Sequence, residues 1–324
     1  MGWLVRLARS DSYSATGQPV VTAVDPSTVQ SSPVNQRVRH RTGFAVLGAP
    51  GIAFYVVAVL VPLALAVSYS FRDYNTLTAS GDWIGLDNYK ELLGDRDFWV
   101  PFIFTLVLTL AVTVVANALG VALAAVLNRP QRVFHWLRTV TFIPVILSGV
   151  VIAFLWSTIL TDTGLLNTML GSLGLDALQR SWLGTSLGAQ LSVIVVSIWP
   201  AIGFCTVVYL AGFQAIPVEL IEAAQIDGAN GRQIFWKISW PLLQPALFVN
   251  AAVMMINGFK AFDTSLVLTG GGPAGATETA AMRILQVGIT QNRAGYASAL
   301  AVALLVAVGI TALVTGRMAR RVEI

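Results

Sequence analysis

The chain reads LIEAAQIDGANGRQIFWKISWPLLQP at residues 220–245, a polar stretch between two long apolar segments. Pro217 and the carboxylates that follow it favour a helix start, because proline suits the first helical position and acids suit the positive end of the helix dipole. Gly228 can adopt the left-handed conformation that ends a helix. A second helical pattern runs over about residues 231–240. The stretch therefore predicts a helix, a glycine turn and another helix, lying outside the hydrocarbon.

The rest of the chain is strongly apolar. Of its 324 residues, 56% are hydrophobic and only 11% are charged, and its mean hydropathy is +0.72. Ordinary globular chains carry roughly a quarter charged residues, so this composition indicates an integral membrane protein. The basic residues are scattered at segment ends rather than gathered in one patch, which argues against nucleic-acid binding. The single Cys205 cannot form an internal disulfide, and we interpret it as a packing residue.

Six apolar segments are long enough to cross a bilayer, which requires about 20 apolar residues. We predict them at approximately residues 44–71, 101–127, 139–160, 187–213, 242–269 and 296–315. The predicted fold is an all-α membrane protein, with six transmembrane helices over residues 37–324. Residues 1–36 are rich in Ser, Thr, Gln and Pro and carry no periodic pattern, so we expect a flexible cytoplasmic tail.

The distribution of positive charge orients these segments. Four flanking stretches fall on one side of the membrane and together hold eleven Lys and Arg, at residues 37–41, 129–138, 232–237 and 317–321. The loops of the other side hold six. Because cytoplasmic loops carry the excess of Lys and Arg, both termini and the 220–245 stretch are predicted to be cytoplasmic.

No catalytic constellation is visible in the sequence. The run Gly270-Gly271-Gly272-Pro273 lacks a following Lys-Ser or Lys-Thr and is not a phosphate-binding loop, so we expect no ATP site, no catalytic residue and no cofactor in this chain. His40 and His135 flank membrane segments, and we interpret them as interfacial side chains rather than metal ligands. No paired carboxylates lie within a segment, which argues against a proton-coupled carrier.

The polar stretch resembles the EAA loop of permease subunits in binding-protein-dependent ABC importers. The matching residues are Glu222-Ala223-Ala224, Asp227-Gly228-Ala229, Phe235, Ile238, Pro241-Leu242-Leu243 and Pro245. In that family the loop forms a coupling helix that docks on a cytoplasmic ATPase. The alternative is an amphipathic loop that lies on the bilayer surface, but such a loop needs neither the glycine turn nor the spaced prolines.

The resemblance implies a coupling helix at residues 217–228 with definite roles for its side chains. Ala223 and Ala224 are small and would allow close approach to the ATPase. Glu222 would offer its charge to an arginine of that partner, and Gly228 would set the angle between the two short helices. Asp227 belongs to the same ATPase-coupling group.

Further stretches resemble carbohydrate permeases of the maltose and glycerol-phosphate type, so that the likeness extends from about residue 40 to the C-terminus. These stretches are Trp83–Tyr89, Phe259–Asp263 with Leu268–Pro273, and Gly295–Ala299. The resemblance implies a type I ABC importer permease fold and half of the path for a sugar or oligosaccharide, in a bacterial cytoplasmic membrane. It also implies four partners, namely a second homologous permease subunit, a cytoplasmic ATPase dimer that binds ATP, an extracytoplasmic solute-binding protein and membrane lipid. The loops at 72–100 and 274–293 would be the docking surface for the binding protein.

One charged pair lies inside a predicted membrane segment, Lys260 and Asp263 at spacing i, i+3. Ionisable residues at membrane depth are functional candidates by default. One interpretation is a polar lining of the solute path, in which Asn257 and Asp263 bond sugar hydroxyls and Phe259 or Phe262 offers a stacking face. The other is an intrahelical or intersubunit ion pair that only shapes packing, and the sequence leaves both interpretations open.

Asn250, about two turns deeper in the same segment, is a second candidate for the path, although a packing role is favoured. Helical rise from Pro241 places Lys260 roughly 28 Å along the segment, toward its outer half. Two rival functions remain at this stage. A stand-alone secondary sugar carrier or channel would need no ATPase, and an intramembrane enzyme would need reactive side chains that the sequence does not show. Pro62, Pro144 and Pro200 are expected to give their segments either fixed kinks or points of bending.

Overall fold

The computed structural model describes residues 49–320 of the chain, and the predicted tail at 1–36 lies outside them. Within the described residues the structure is helical, and two isolated antiparallel bridges near residues 72–83 are its only β pairing. The chain divides into two compact units, with the boundary between Val61 and Pro62. The helix bundle described below belongs to the second unit.

The helices of the described region are joined by connections of different lengths, and a long one separates α1 from α2. Their bounds are α1 Ala49–Tyr69, α2 Asp87–Gly94, α3 Arg96–Leu127, α4 Arg132–Ile146, α5 Gly149–Ile159, α6 Leu165–Ser172, α7 Ser186–Gln214, α8 Val218–Ile226, α9 Gly231–Phe259, α10 Asp263–Thr269, α11 Ala280–Thr290 and α12 Ala294–Arg320.

Five of these helices, α1, α3, α7, α9 and α12, are long and apolar enough to cross a membrane. The pair α4 and α5 passes the same test together but is bent by 99°, so the described residues give five spans, or six if this pair counts as one. The prediction of one continuous helix at 139–160 is therefore wrong. The chain leaves the helix at residues 147–148, and the Ser148 hydroxyl caps α5 by accepting a hydrogen bond from the Val151 N–H.

The predicted segment at 242–269 also differs from the structure at both ends. A single helical run begins at Gly231, where Asn230 and Gln233 form a capping box, and it ends at Phe259. The run crosses Pro241 through a π turn at Phe235–Ser239. A π turn shifts the hydrogen-bond register, so it carries a helix past a proline that has no N–H to donate.

The other prolines behave differently from one another. Pro62 lies two residues after a second π turn, at Val56–Leu60 within α1. Pro200 lies inside the uninterrupted α7, and Pro144 lies inside α4, two residues before that helix ends. The large bend near Pro144 is thus made by the non-helical residues that follow the proline.

The core of the bundle lies where α3, α7 and α9 pack together. Gly120 of α3 lies against Cys205 of α7, and a Cβ placed on this glycine would be only 2.6 Å from the Cys205 Cβ. Small residues allow such close helix contacts, which stabilise bundles inside a membrane. The Tyr209 hydroxyl donates to Asn117 Oδ1 at 2.7 Å, so two buried polar side chains satisfy each other between α3 and α7.

A second buried cluster joins the polar end of α3 to α2, α11 and α12. Its members include Leu92, Phe98, Val287 and Leu300. Asp95 caps α3 by accepting from the Asp97 N–H at 2.9 Å. This cluster packs α2 and α11 against the ends of α3 and α12 at the same end of the bundle.

Candidate solute path and coupling surface

The break between α9 and α10 creates the first candidate site. After Phe259 the chain runs through residues 260–262 without helical structure, and α10 then begins at Asp263. Just before the break, Gly258 lets α9 pack closely on α3, because a Cβ there would lie 2.6 Å from Thr109 Oγ1. Non-helical backbone at membrane depth is tolerated where it lines a cavity or is buried in protein, so the break itself marks a possible path.

A groove of about 390 Å³ opens beside the break and gathers three of the predicted path residues. Asn257, Lys260 and Asp263 all line it, and all three are exposed. Ser197 and Pro200 of α7 form part of the opposite wall. The groove therefore presents an amide, an ammonium, a carboxylate and a hydroxyl on a mainly apolar surface, which is the arrangement expected of a polar-solute path.

Lys260 and Asp263 do not share one helix as the sequence suggested. Lys260 is the C-terminal cap of α9, whereas Asp263 is in the first turn of α10, so the spacing i, i+3 does not bring them onto one helical face. Neither residue forms an ion pair with any residue of the described chain. The intrahelical ion pair, one form of the alternative to a path lining, is therefore absent from the described residues.

Two of the predicted path residues lie away from the groove. Phe259 is 1% exposed and packs against Phe102, with ring centroids 6.4 Å apart, so it does not line the groove, whereas Phe262 and Phe204 do. Asn250 is fully buried, and its Nδ2 donates to the Cys205 carbonyl at 3.5 Å. Asn250 and Asn257 are two turns apart on one face of α9, but α7 covers that face at the level of Asn250.

The sequence reasoning missed the α7 and α5 sides of the groove. Ser197 lies three residues before Pro200, in the middle of an apolar segment. A hydroxyl at that depth could have indicated that this part of α7 lines the solute path. Gly149 approaches the Asp263 side chain, since a Cβ on it would lie 3.5 Å from the Asp263 Cβ. A Ser-Gly pair after a proline is a helix-start signal, and it would have indicated the bend that brings Gly149 here.

The second candidate site is the surface of α8. The helix runs over Val218–Ile226, with Pro217 as its N-cap rather than its first helical residue, and Gly228 ends the turn at φ +80°. Of the predicted coupling residues, Glu222, Ala223, Asp227 and Gly228 are exposed and Ala224 is half-buried.

This surface combines acidic and apolar groups that no described residue covers. Ile226 is 87% exposed and Val218 is 58% exposed, which is unusual for large aliphatic side chains on a short polar helix. Beside them, Ala224, Asp227 and Gly228 line a cleft of about 360 Å³ together with Lys237. Exposed apolar residues rimmed by polar ones mark interaction sites, so α8 is a candidate docking surface.

The two predicted outer loops, at 72–100 and 274–293, form a polar surface in which ion pairs join one loop to the other. Arg293 makes a bidentate ion pair with Glu91, with nitrogen–oxygen distances of 2.8 and 2.7 Å. The Glu91 carboxylate accepts hydrogen bonds from both N–H groups, and these bonds raise the pKa of the Arg293 guanidinium. Arg283 reaches Asp97 at 3.3 Å. The predicted outer loops at 72–100 and 274–293 are thus tied to each other by charge.

Comparison with known proteins agrees with this arrangement. Residues 116–324 match the family described as binding-protein-dependent transport system inner membrane component. The chain is 33% identical, over 83% of its length and 92% of the relative's, to the multiple sugar-binding transport system permease protein of Streptococcus mutans. It is 31% identical, over 85% of its length and 93% of the relative's, to a probable starch degradation products transport system permease protein of Thermoanaerobacterium thermosulfurigenes.

The fold has also been seen before. A chain of a bacterial ABC transporter involved in the import of the acidic polysaccharide alginate aligns with a TM-score of 0.77, covering 88% of this chain and 97% of that one. The two sequences are 23% identical, so the likeness concerns the fold.

Proposed function

Because the chain belongs to the family of binding-protein-dependent transport system inner membrane components, we propose that it is the permease subunit of an ABC importer for a sugar or oligosaccharide. It is a multi-pass membrane protein with the fold of ABC importer permeases. Sugar is the proposed solute class because two relatives over 30% identical carry the names of sugar or starch-product permeases.

The observation that carries the proposal is the exposed α8 with its glycine turn. A permease moved by a separate ATPase needs a rigid, uncovered element to receive the force. The left-handed Gly228 and the capping box at Asn230 and Gln233 fix the angle between α8 and α9. Exposed Ile226 and Glu222 supply an apolar contact and a charge for the partner. Movement of α8 would pass directly into α9, which lines the groove.

The groove at the break between α9 and α10 would form half of the solute path. Asn257 can donate and accept hydrogen bonds, Asp263 can accept them from sugar hydroxyls, and Phe262 can stack on a sugar ring. The groove is open along one side, and we propose that a second homologous permease closes it.

ATP would be bound by a cytoplasmic ATPase dimer, and the present chain would hold no ATPase site and need no cofactor of its own. An extracytoplasmic solute-binding protein would deliver the sugar to the polar surface tied by Arg293 and Glu91. The importer would lie in the bacterial cytoplasmic membrane with both termini of this chain in the cytoplasm. This orientation follows from the excess of Lys and Arg beside α8 and at the other flanks of the same side.

The test is co-purification of an ATPase in mild detergent and ATP-driven sugar uptake in proteoliposomes. Glu222→Ala and Gly228→Val are the informative variants, because valine strongly disfavours φ +80°. Gly231→Val is the matched control, since Gly231 has open space around it and no positive φ. We expect Gly228→Val to reduce ATPase capture about tenfold, equivalent to roughly 1.4 kcal/mol of docking free energy.

If the chain were a stand-alone carrier or channel, the rival function, the opposite result would be expected. Transport would then survive without any ATPase, and it would also survive deletion of residues 217–228. An isolated chain that moves sugar by itself would therefore reject the importer.

A further inference from the structure

A second and larger cavity, of about 620 Å³, lies between α10 with its glycine-rich turn and α11. Phe262, Gly271, Glu278, Met282, Gln286 and Thr290 are among the residues that line it. We propose that this outer cavity binds a sugar unit of the imported solute on its way to the groove, with the Glu278 carboxylate accepting hydrogen bonds from the sugar hydroxyls. The inference rests on the proposed function and names a solute site outside the groove.

Glu278 is an acceptor for which the described chain provides no donor. Its side chain is half-buried, and no described residue forms a hydrogen bond or an ion pair with the carboxylate. The nearby Arg283 is turned toward Asp97, at 3.3 Å, and toward Gln286 Oε1, also at 3.3 Å. Burial raises the pKa of Glu278, because it removes water from the charged form, while Arg283 opposes this shift. A ligand that donates hydrogen bonds to the carboxylate would replace the hydrogen bonds to water that burial removes.

The wall opposite Glu278 is built to leave space in front of the carboxylate. Gly271 and Gly275 both have positive φ, at +86° and +76°. A Cβ on Gly275 would lie 3.8 Å from Glu278 Oε2, and a Cβ on Gly271 would lie 3.2 Å from the Met282 Cε. Any side chain at these positions would therefore take volume from the cavity.

Hydrogen bonds hold this turn in place without a ligand. The Thr277 hydroxyl donates to the Gly272 carbonyl at 2.8 Å, and the Thr277 N–H donates to the Gly271 carbonyl at 3.1 Å. The Thr269 hydroxyl lies 2.6 Å from the Thr277 hydroxyl. The cavity is thus preformed, so a ligand need not order the loop on binding, which favours affinity.

The chemistry of the lining favours a neutral polyhydroxylated ligand over a cation. Both Arg283 and Asp97 interact electrostatically with Glu278. Because Arg283 offsets part of the negative charge, the carboxylates do not form a concentrated cation site. Phe262 offers a flat apolar face, while Gln286 and Thr290 add an amide and a hydroxyl. The volume lies within the range of about 300–1,000 Å³ that is typical of small-molecule sites.

The outer cavity and the groove share one residue. Phe262 lines both of them, and it lies in the non-helical residues that separate α9 from α10. A sugar chain in the outer cavity would therefore have its next unit within reach of the groove residues Asn257 and Asp263. The break in the helix would connect the two positions.

The test uses the complete importer, with both permeases, the ATPases and the binding protein, in proteoliposomes. Radiolabelled maltose, trehalose and maltotriose are the probes, and the sugar that the wild type takes up fastest is used for the variants. Glu278→Gln and Glu278→Ala remove the carboxylate. Asp162→Asn is the matched control, because it removes an exposed carboxylate from the segment between α5 and α6, outside the groove and outside the loops at 72–100 and 274–293. Uptake, docking of the binding protein and ATP hydrolysis are measured for each variant.

We expect Glu278→Ala to lower sugar uptake per ATP hydrolysed about tenfold, with Glu278→Gln intermediate and Asp162→Asn unchanged. Docking of the sugar-free binding protein should be the same in all variants. Unchanged uptake in both Glu278 variants would overturn the inference. Loss of docking with normal uptake per ATP would also overturn it, because the carboxylate would then hold a basic side chain of the binding protein. A wild-type complex that imports no sugar would reject the proposed function itself.

Discussion

Gly120 shows how one residue determines the distance between two membrane helices. It is the point where α3 meets Cys205 of α7. Gly120→Ala would place its Cβ 2.6 Å from the Cys205 Cβ, so the helices would have to separate. We expect a cost of about 1–3 kcal/mol, which is typical of overpacking, measured as a lower midpoint of thermal unfolding in nanodiscs.

Gly309→Ala is the control for this residue, because Gly309 lies in α12 with no atom near its missing Cβ. Alanine is the better helix former, so this change should be neutral or slightly stabilising. Combining Gly120→Ala with Cys205→Gly removes the overlapping Cβ and should restore part of the lost stability. Equal effects of the two single alanine substitutions would show that α3 and α7 do not depend on this contact.

At the scale of elements, the Arg293–Glu91 pair joins α2 to the segment between α11 and α12. Both side chains are a little over two-fifths exposed, and the contact is bidentate. A double-mutant cycle with Arg293→Ala and Glu91→Ala should give a coupling free energy near the upper end for exposed pairs, about 1 kcal/mol. Thermal unfolding of the four proteins in nanodiscs measures it.

The Lys90–Asp87 pair provides the comparison within the same region. It also has a short contact, 2.6 Å, but its side chains are 75% and 61% exposed and belong to one turn of helix. Solvent screens such a pair, so its cycle should give about 0.3 kcal/mol or less. A coupling at Arg293–Glu91 no larger than this would mean that this ion pair does not help to hold the loops together.

At the scale of the whole molecule, the bent pair α4 and α5 decides which side of the membrane α8 faces. If the pair crosses the membrane, the loop after α1 and the α8 surface lie on opposite sides. If it enters and returns on one side, they lie on the same side. The single Cys205 is buried, so Cys205→Ala gives a cysteine-free background for labelling.

Leu77→Cys and Ile226→Cys in that background report the two sides, because Leu77 is 78% exposed and Ile226 is 87% exposed. We expect a membrane-impermeant maleimide to label Leu77→Cys in intact cells and Ile226→Cys only after permeabilisation. Labelling of both in intact cells would mean that the pair is re-entrant, and it would place α8 out of reach of a cytoplasmic ATPase.

Local patterns were sufficient for much of this molecule. Hydropathy located α3, α7 and α12 to within a few residues, because the length of an apolar run is a property of the sequence alone. Gly228 and Gly270 both adopt positive φ where the sequence predicted that a helix would end. The helix α8 was likewise indicated by nearby residues, which reflects how strongly prolines, glycines and acidic residues constrain a helix end.

The sequence by itself determined the membrane class, the approximate spans and the place of α8, since these depend on each segment's own composition and end residues. Only the tertiary structure decided that Phe259 and Asn250 are buried while Asn257 and Asp263 face a groove. All four belong to one apolar segment, and which of its faces is covered depends on how α3 and α7 pack beside it. The close packing of α9 on α3 just before the break likewise rests on Gly258 meeting Thr109, a contact between residues distant in the chain.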